Sequence, residues 1–348
     1  MHPSFKCLIP LLLFVAAMPA MVASAPLAGA GRPPLAFTAG GETRLELASG
    51  ERLTLPLPAG AEVAATAALG DGWLAAGTAP GAAGGREIVL LTGRAGGHGA
   101  VAALPPPAGR EGRLRREPLP LVADGRLAGL VWLEGDSARR LAVRFARWDG
   151  AGWEAPRTVS PAGPGSQLAL TAARLADGTW LLAWSAFDGH DDEIVWSRLG
   201  SDGAWSRPRR VAADNDVPDI TPVLAADAEG AFLAWSRFDG SGYRVVLARF
   251  RAGRWEAPRE VGPAGSLYPS FENGAAWLLF ATAVPHGWSV LQLDGDGRPG
   301  RTASVTTAPS ARNERPVVAP GAGGVTFRFP AAAVEKTAPW AAADERQP

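Results

Sequence analysis

The feature that most constrains this chain is a repeat of about fifty residues, marked by two series of tryptophans. The first series lies in the contexts L-V-W-L-E-G-D, L-A-W-S-A-F-D-G and L-A-W-S-R-F-D-G, and consists of Trp132, Trp184 and Trp235. The second series follows short turns, in the contexts D-G-A-G-W-E-A-P-R, D-G-A-W-S-R-P-R and A-G-R-W-E-A-P-R, and consists of Trp153, Trp205 and Trp255. Because both landmarks move together along the chain, we infer that one supersecondary unit has been copied.

The best copy, residues 219–262, reads as four short strands separated by turns. Strands are predicted over 221–226, 231–236, 243–250 and 255–261, with D-A-E-G and F-D-G-S-G between them. Runs of this length, closed by Gly and Asp, predict an antiparallel meander. Pro258 in the last strand suits an edge position, where no ladder donor is lost. Four strands in a repeat of this length are typical of a β-propeller blade.

We therefore predict an all-β fold, a six-bladed β-propeller with four-stranded antiparallel blades, over residues 43–330. Four complete blades are predicted over 62–107, 118–161, 166–213 and 219–262, and a degenerate fifth over 266–305, where Ala281 takes the tryptophan position. The sixth would combine strands from both chain ends, 43–57 and 315–327, which closes the ring and removes exposed sheet edges. Seven blades are the alternative. Residues 331–348 are predicted to be a flexible tail.

The first 24 residues have the pattern of a secretory signal peptide. Lys6 precedes an apolar run over 7–17, and V-A-S stands before Ala25. The run is shorter than the roughly 20 residues that span a bilayer. The sequence thus predicts an exported protein, periplasmic or extracellular, without a membrane span, in which residues 25–42 are a linker. Cys7 is the only cysteine, so the mature chain would contain no disulfide and no cysteine metal site.

The charge balance narrows the class of partner. The chain has 34 basic and 34 acidic residues, a formal net charge of +0, and no basic tract. Nucleic-acid binding needs a concentrated basic surface, so nucleic acid is not expected as a partner. We expect a monomer whose core is large enough to fold without disulfides.

The turns before the second tryptophan series resemble the Asp boxes of bacterial sialidase-like β-propellers, whose motif has the form S-x-D-x-G-x-x-W. The segment 201–205, S-D-G-A-W, keeps the Ser, Asp, Gly and Trp of that motif at shorter spacing, and 149–153, D-G-A-G-W, keeps its Asp, Gly and Trp. The resemblance covers most of the mature chain as architecture. In that family the Asp box shapes a hairpin turn away from the active site, which implies a structural role for Asp149 and Asp202.

The same family uses three arginines, a Tyr/Glu nucleophile pair and an aspartate acid/base. Tyr268 and Glu272 are the only nearby Tyr/Glu pair here, and Arg32-Pro33-Pro34 lacks the middle residue of the family's N-terminal arginine motif. The chemistry requires a tyrosine activated by a facing carboxylate. A sialidase-like glycoside hydrolase is therefore the alternative function, behind a non-catalytic binding role.

The tryptophans of the first series favour packing over ligand binding. Trp132, Trp184 and Trp235 alternate with small residues on the predicted second strands, where one blade packs on the next. A role as a sugar-stacking platform would instead require an exposed indole face.

Acidic loops suggest where a ligand site lies. Loops between second and third strands and crossovers between blades share one face of a propeller. This places there a set of candidate binding residues that depart from the repeat: His190, Asp191, Asp192, Asp214 and Asp216. Carboxylates are ligands that Ca²⁺ prefers, with Asp214 and Asp216 as the metal candidates, although Asp also serves ordinary turn chemistry.

No Ser-His-Asp set, phosphate loop or zinc spacing stands out, and no other cofactor is expected. We therefore predict a non-catalytic propeller that binds a glycan or a protein through its loop face, at the junction of blades three and four. Tyr268 and Glu272 are further candidates for that site. Asp149 and Asp202 should lie on the face opposite Asp191 and Asp216.

Overall fold

The computed structural model describes residues 34–94, 101–108, 112–213, 215–272, 274–282, 286–307 and 314–342. The predicted signal peptide, Arg32 and Asp214 lie outside these described residues. The described chain is all-β apart from a 3-10 helix at Gly274–Ala276. None of the described residues belongs to a helix with the length and apolar character that crossing a membrane requires.

The strands form sheets of consecutive antiparallel neighbours. The N-terminal sheet contains β1 (Leu35–Ala39), β2 (Glu42–Glu46) and β3 (Arg52–Thr54). Blade one contains β4 (Glu62–Leu69), β5 (Gly72–Pro80), β6 (Arg86–Arg94) and β7 (Ala102–Leu104). Blade two contains β8 (Leu114–Ala123), β9 (Arg126–Ser137), β10 (Arg140–Arg147) and β11 (Arg157–Ser160). Blade three contains β12 (Gln167–Arg174), β13 (Trp180–Phe187), β14 (Asp192–Leu199) and β15 (Arg209–Arg210).

The remaining sheets follow the same order. Blade four contains β16 (Asp219–Asp227), β17 (Gly230–Phe238), β18 (Tyr243–Arg251), β19 (Arg254–Trp255) and β20 (Arg259–Val261). Blade five contains β21 (Ser266–Glu272), β22 (Trp277–Thr282), β23 (Gly287–Leu293) and β24 (Pro299–Thr306). The C-terminal sheet contains β25 (Val317–Pro320), β26 (Gly324–Phe329) and β27 (Val334–Pro339), and β28 (Ala341–Ala342) pairs with β24.

The second strands are buried because each blade packs against its neighbours on both sides. Trp132 packs in a cluster shared with blade one, Trp184 in one shared with blade two, and Trp235 in one shared with blade three. All three indoles are fully buried. They therefore hold the blades together and present no face on which a sugar could stack.

The first strands contact one another from blade to blade, which places them innermost, around the central axis. Each first strand shifts register shortly after it begins. In blades two to five the shift coincides with a positive φ of 50° to 56°, at Glu117, Ala169, Thr221 and Tyr268. A bulge re-aims the side chain that it carries. The scaffold thus places one bulged residue from each of blades two to five at equivalent positions near the central axis.

The six-bladed ring that the sequence predicted is wrong, and so is the seven-bladed alternative. The structure has five blades of four or five strands, within a few residues of the predicted bounds, and two separate three-stranded sheets from the chain ends. The predicted closing blade does not form because β1 and β27 complete each end as its own sheet. The ends do meet through side chains: Arg328 and Arg52 both donate to the buried Glu46 carboxylate, and Arg328 lowers its pKa.

Two predicted boundaries also differ from the structure. The segment predicted as a tail contains β27 and β28, and the segment predicted as a linker contains β1 and the start of β2. The sequence V-E-K-T-A-P of β27 has no apolar alternation, since most of that strand is exposed. Its neighbourhood is held instead by Trp340, which stacks on Trp277 with ring centroids 5.1 Å apart. Residues 343–348 lie outside the described residues.

Candidate site on the acidic face

The loops between second and third strands and the blade-to-blade connectors leave the blades at one end, which we call the acidic face. Asp191 lies in the loop between β13 and β14, and Asp216 lies in the connector from blade three to blade four. The two segments meet where His190 Nε2 lies 3.7 Å from an Asp216 carboxylate oxygen. Because neighbouring strands are antiparallel, Asp149 and Asp202, between third and fourth strands, lie at the opposite end.

The Asp-box-like turns on that opposite face are held by their own aspartates. Asp149 Oδ1 accepts hydrogen bonds from the amides of Ala151 and Gly152, at 2.8 and 2.7 Å. Asp202 Oδ1 accepts from the Ala204 amide at 3.0 Å. These contacts are ordinary Asx turns, which order the loop.

Both tyrosines of the chain lie on the acidic face, as does Asp192, a carboxyl group with a raised pKa. Tyr243 begins β18, Tyr268 occupies the bulge of β21, and Asp192 begins β14. The pKa of Tyr243 is raised by burial first, and then by Tyr268 and Asp192, so the three groups lie close enough to interact. We call this set the tyrosine–aspartate cluster. Three consecutive blades contribute one member each, and all three side chains are half-buried.

Burial and neighbouring charges shift the pKa values of the side chains in the cluster. Burial raises the pKa of Asp192 to about 6, and the neighbouring carboxylates of Asp191 and Asp188 add to the effect. Burial also raises the pKa of Tyr268. At mildly acidic pH the Asp192 carboxyl therefore carries a proton and can donate a hydrogen bond. Above that pH it accepts, while both phenols can do either.

Backbone geometry fixes Tyr268 in this position. Its φ of 55° lies in the left-handed region, which a non-glycine residue adopts only when its surroundings impose it. The Tyr268 amide donates to Ser236 Oγ of blade four at 3.0 Å, and that hydroxyl also lies 2.8 Å from Thr221 Oγ1. The equivalent bulges carry Glu117, Ala169 and Thr221. Among these four bulges, that of blade five alone carries an aromatic residue.

Arginines on the acidic face pair with carboxylates of their own blades. Asp219, fully buried, accepts from Arg237 Nε and Nη2 at 2.8 and 2.7 Å. Further pairs also join two side chains of one blade: Arg115 with Glu134, Arg210 with Asp188, and Arg244 with Asp239. In the described part of the chain, these arginines are thus held in separate pairs on three blades, unlike the three-arginine clamp that the resemblance to sialidases implies.

The predicted pair of Tyr268 and Glu272 is not brought together. The two residues lie near opposite ends of β21, and four strand residues span about 13 Å. Glu272 is paired instead with Arg315 of the C-terminal region. Glu272 is therefore not the facing carboxylate that a nucleophilic Tyr268 would require. Because their residue numbers differ by only four, the sequence suggests a closer pair than an extended strand allows.

The predicted calcium site is tested only in part by the structure. Asp214 lies outside the described residues. Within the described ranges, no group of three or more His, Cys, Asp or Glu side chains is arranged to hold a metal ion. Asp216 is exposed and its nearest charged neighbour is His190.

Two residues of this face, Tyr243 and Glu117, were missed from the sequence. Tyr243 begins the third strand of blade four where the predicted site residue Asp192 begins that of blade three, a match that D-E-I-V and Y-R-V-V could have shown. Glu117 keeps accessible surface although protein surrounds it, as expected for a group that lines an internal channel. Burial raises the pKa of this carboxyl, while its Oε2 accepts from the Leu170 amide at 3.1 Å. The signal was the proline after Glu117, which recurs after Thr221 and Tyr268.

No family model matches the chain, and no curated protein sequence matches it. Among solved structures, it is similar to the GH93 α-L-arabinofuranosidase of Fusarium graminearum in complex with arabinobiose, at 11% identity and a TM-score of 0.50, covering 80% of this chain and 91% of that one. It is also similar to the Aleuria aurantia lectin in complex with α-methyl-L-fucoside, at 11% identity and a TM-score of 0.49, covering 84% and 97%.

A third similar structure is a puromycin-hydrolyzing peptidase of Mycobacterium tuberculosis, at 16% identity and a TM-score of 0.48. That match covers 88% of this chain and 51% of the peptidase, so the chain spans about half of the peptidase's length. At such identities a likeness shows the fold alone. The arabinofuranosidase match supports assignment of this chain to the β-propeller architecture.

Proposed function

We propose that this protein is an exported, non-catalytic β-propeller that binds a glycan at the tyrosine–aspartate cluster of its acidic face. The observation that carries the proposal is that three consecutive blades place Asp192, Tyr243 and Tyr268 on one face, where Tyr268 and Asp192 both raise the pKa of Tyr243. A tyrosine offers an apolar ring face and a polar tip, and a carboxyl bonds to hydroxyls in either protonation state. The arabinobiose seen in the similar arabinofuranosidase supports a saccharide over a protein ligand. Export rests on the signal-like first 24 residues.

A glycoside hydrolase is the second candidate function, and one observation favours it. With a pKa of about 6, Asp192 holds a proton under mildly acidic conditions, as a general acid must. Asp191 and Glu193, both buried, are the nearest carboxylates in sequence that could accompany it. The second candidate uses the same cluster, so an assay for release of reducing sugar separates the two functions.

The test is binding of a glycan array, including arabinobiose, to the purified protein and to variants of the cluster. Tyr243→Ala/Tyr268→Ala should weaken binding by about tenfold or more, because both ring faces are removed. The matched variant Tyr243→Phe/Tyr268→Phe keeps the rings and reports the hydroxyls alone. Asp202→Asn on the opposite face should bind as the wild type does. Absence of any glycan ligand, or equal binding by the alanine variant, would overturn the proposal.

The sequence also predicts a calcium site at Asp214 and Asp216, of which Asp216 lies on the acidic face. Calorimetry with Ca²⁺ on the wild type and on Asp214→Asn/Asp216→Asn tests it directly. Heat of binding that the double variant lacks would assign the cation to these carboxylates. Equal heats, or none, would leave them as a solvated loop.

A further inference from the structure

Buried apolar clusters join the sheets of the molecule one after another. In chain order, the N-terminal sheet, the five blades and the C-terminal sheet are seven sheets with six junctions between consecutive members. The six apolar clusters of the described residues match these junctions one to one, since each is built mainly from two consecutive sheets. Hydrophobic contact therefore holds the sheets together at every step along the chain.

The seventh junction, where the C-terminal sheet meets the N-terminal sheet, is built differently. The apolar side chains of both sheets point away from it: Ala36 and Leu45 pack on blade one, and Phe327 and Phe329 pack on blade five. Among the described residues, no buried apolar cluster joins the two terminal sheets. We call this junction the terminal seam, with β1, β2 and β3 on one side and β25, β26 and β27 on the other.

The alternation of side chains along β2 and β26 puts charge at the seam. Leu45 and Phe327 face the neighbouring blades, so the next residues, Glu46 and Arg328, face the seam. Arg328 Nη1 donates to Glu46 Oε2 at 2.8 Å, and its Nη2 donates to Oε1. Arg52 Nε of β3 also donates to Oε2, at 3.0 Å. We call Glu46, Arg52 and Arg328 the closing triad.

One buried carboxylate thus connects the two terminal sheets. Glu46 is only 4% exposed. In the described part of the chain, the hydrogen bonds found across the seam all end on its carboxylate. Val317, the cross-strand partner of Arg328, is buried as well, but it belongs to none of the six clusters.

A buried ion pair and an apolar cluster respond differently to a change of charge. Removing two charges from water costs much of what their attraction returns, so the intact pair adds little net stability. Loss of one partner, however, leaves the other buried without compensation, which is strongly unfavourable. An apolar cluster has no such dependence on charge. The terminal seam is therefore the junction that a change of charge can open.

The groups around Glu46 favour its ionised form. Hydrogen bonding by Arg328 lowers the pKa of Glu46 from its ordinary value of 4.5, burial opposes that shift, and Arg52 adds to it. The contribution of this charge to closure is therefore fully present above pH 4.5 and is lost as the pH falls through the lower pKa of the folded protein. The other charged groups on these strands are Glu335, which lies opposite Arg328, and Arg44 and Glu42, which pair with each other.

We propose that the propeller ring opens and closes at the terminal seam, under the control of the closing triad, while the six apolar junctions stay closed. Such an opening would connect the central axis to the side of the molecule. The proposal does not rest on the glycan site, because the tyrosine–aspartate cluster lies on blades three to five.

Distances between spin labels on the two sides of the seam test the proposal. Ala48 and Ala332 are exposed, in the turns that follow β2 and β26. Ala48→Cys/Ala332→Cys carries the labels in a Cys7→Ser background, since Cys7 is the only cysteine of the chain. With the triad intact, double electron–electron resonance at pH 7 should give one short, narrow distance distribution. Glu46→Gln keeps the size of the side chain but removes its charge, and should raise the fraction of long distances by about tenfold.

An apolar pair tests whether charge controls the seam. Glu46→Met/Arg328→Met replaces the ion pair with two uncharged side chains. This variant should give the same narrow distribution at pH 7 and at pH 3, whereas the protein with the intact triad should show the longer distances at pH 3. That second comparison also decides the matter should Glu46→Gln fail to fold. If the methionine variant responded to pH as the intact triad does, the proposal would be overturned, because other groups would then control the seam.

Two controls show whether the effect belongs to the seam. Ala176→Cys/Ala228→Cys places labels at exposed positions on blades three and four, which share an apolar cluster, and should give a narrow distribution throughout. Glu46→Gln should bind the glycan array as the wild type does, so this proposal and the proposed function fail separately. The proposal is overturned if Glu46→Gln leaves the seam distance unchanged. Broadening of both label pairs together would also overturn it, because the ring would then be unfolding as a whole.

Discussion

Blades two and three share strand order, a buried tryptophan and an anchored connector. The space beside the tryptophan is filled by charged side chains in blade two, whereas in blade three it contains a cavity. Around Trp132 lie Arg115, Glu134 and Arg144; around Trp184 lie Gln167, Ala186 and Val195. What repeats is the frame that packs blade on blade. What differs is the filling near the acidic face. In a repeat scaffold, therefore, the departures between equivalent positions indicate where function was placed.

The largest expected effect is on the frame that the two blades share. Trp132→Ala and Trp184→Ala should each lower the free energy of unfolding by about 3–5 kcal/mol, because each removes a fully buried indole. The loss should be smaller in blade three, where Trp184 lines a cavity of about 270 Å³. Urea denaturation of both variants measures the difference. A larger loss for Trp184→Ala would break the comparison.

A second effect concerns the charges that fill blade two. Glu134→Ala should destabilise the protein by about 3 kcal/mol, because it leaves the buried Arg115 without its carboxylate. Ala186→Glu alone should also destabilise, and adding Gln167→Arg should recover most of the loss. A double-mutant cycle measures that coupling. If the two substitutions in blade three proved additive, the equivalence of the two sites would be wrong.

A smaller effect on stability is expected at Asp192 of the tyrosine–aspartate cluster. The pKa of Asp192 is raised to about 6 in the folded protein, so its contribution to stability is fully present below the unfolded pKa near 3.8 and is lost as pH rises through 6. Asp192→Asn should therefore stabilise the protein above pH 6, by about 1–2 kcal/mol, since one pKa unit corresponds to about 1.4 kcal/mol and solvent screens part of the effect.

Thermal or urea unfolding of Asp192→Asn at pH 4 and pH 7.5 checks this pH dependence. The gain over wild type should be present at pH 7.5 and small at pH 4, where both proteins carry an uncharged group. A variant that is less stable than the wild type at pH 7.5 would show that the Asp192 charge is satisfied in the folded state.

Much of the architecture could be predicted because local signals carried it. The spacing of Trp132, Trp184 and Trp235 set the blade period, and the D-G turns set the strand ends. The chain ends escaped prediction because β27 is mostly exposed and lacks an apolar alternation. Whether two hairpins share a sheet depends on contacts hundreds of residues apart, such as Arg328 with Glu46.

From the sequence, the candidate site could be assigned to one face of the propeller but not to a particular group of neighbouring residues. Strand order alone places His190, Asp191 and Asp216 at one end of blade three. The position of Asp192, Tyr243 and Tyr268 depends on how three blades lie around the axis, which leaves no mark in local spacing. It also depends on a bulge in β21, which is marked only by the proline that recurs after Glu117, Thr221 and Tyr268. Conversely, the four-residue separation of Tyr268 and Glu272 suggested a pair that an extended strand holds apart.

The central claim is that the acidic face holds the glycan site, and hydrogen exchange tests it most directly. The protein is compared with and without arabinobiose, or with the glycan that it retains on an array. We expect added protection in the β13–β14 loop, at the start of β18 and around the Tyr268 bulge. The turns at Asp149 and Asp202 should exchange as before. Protection confined to those turns, with none on the acidic face, would contradict the account.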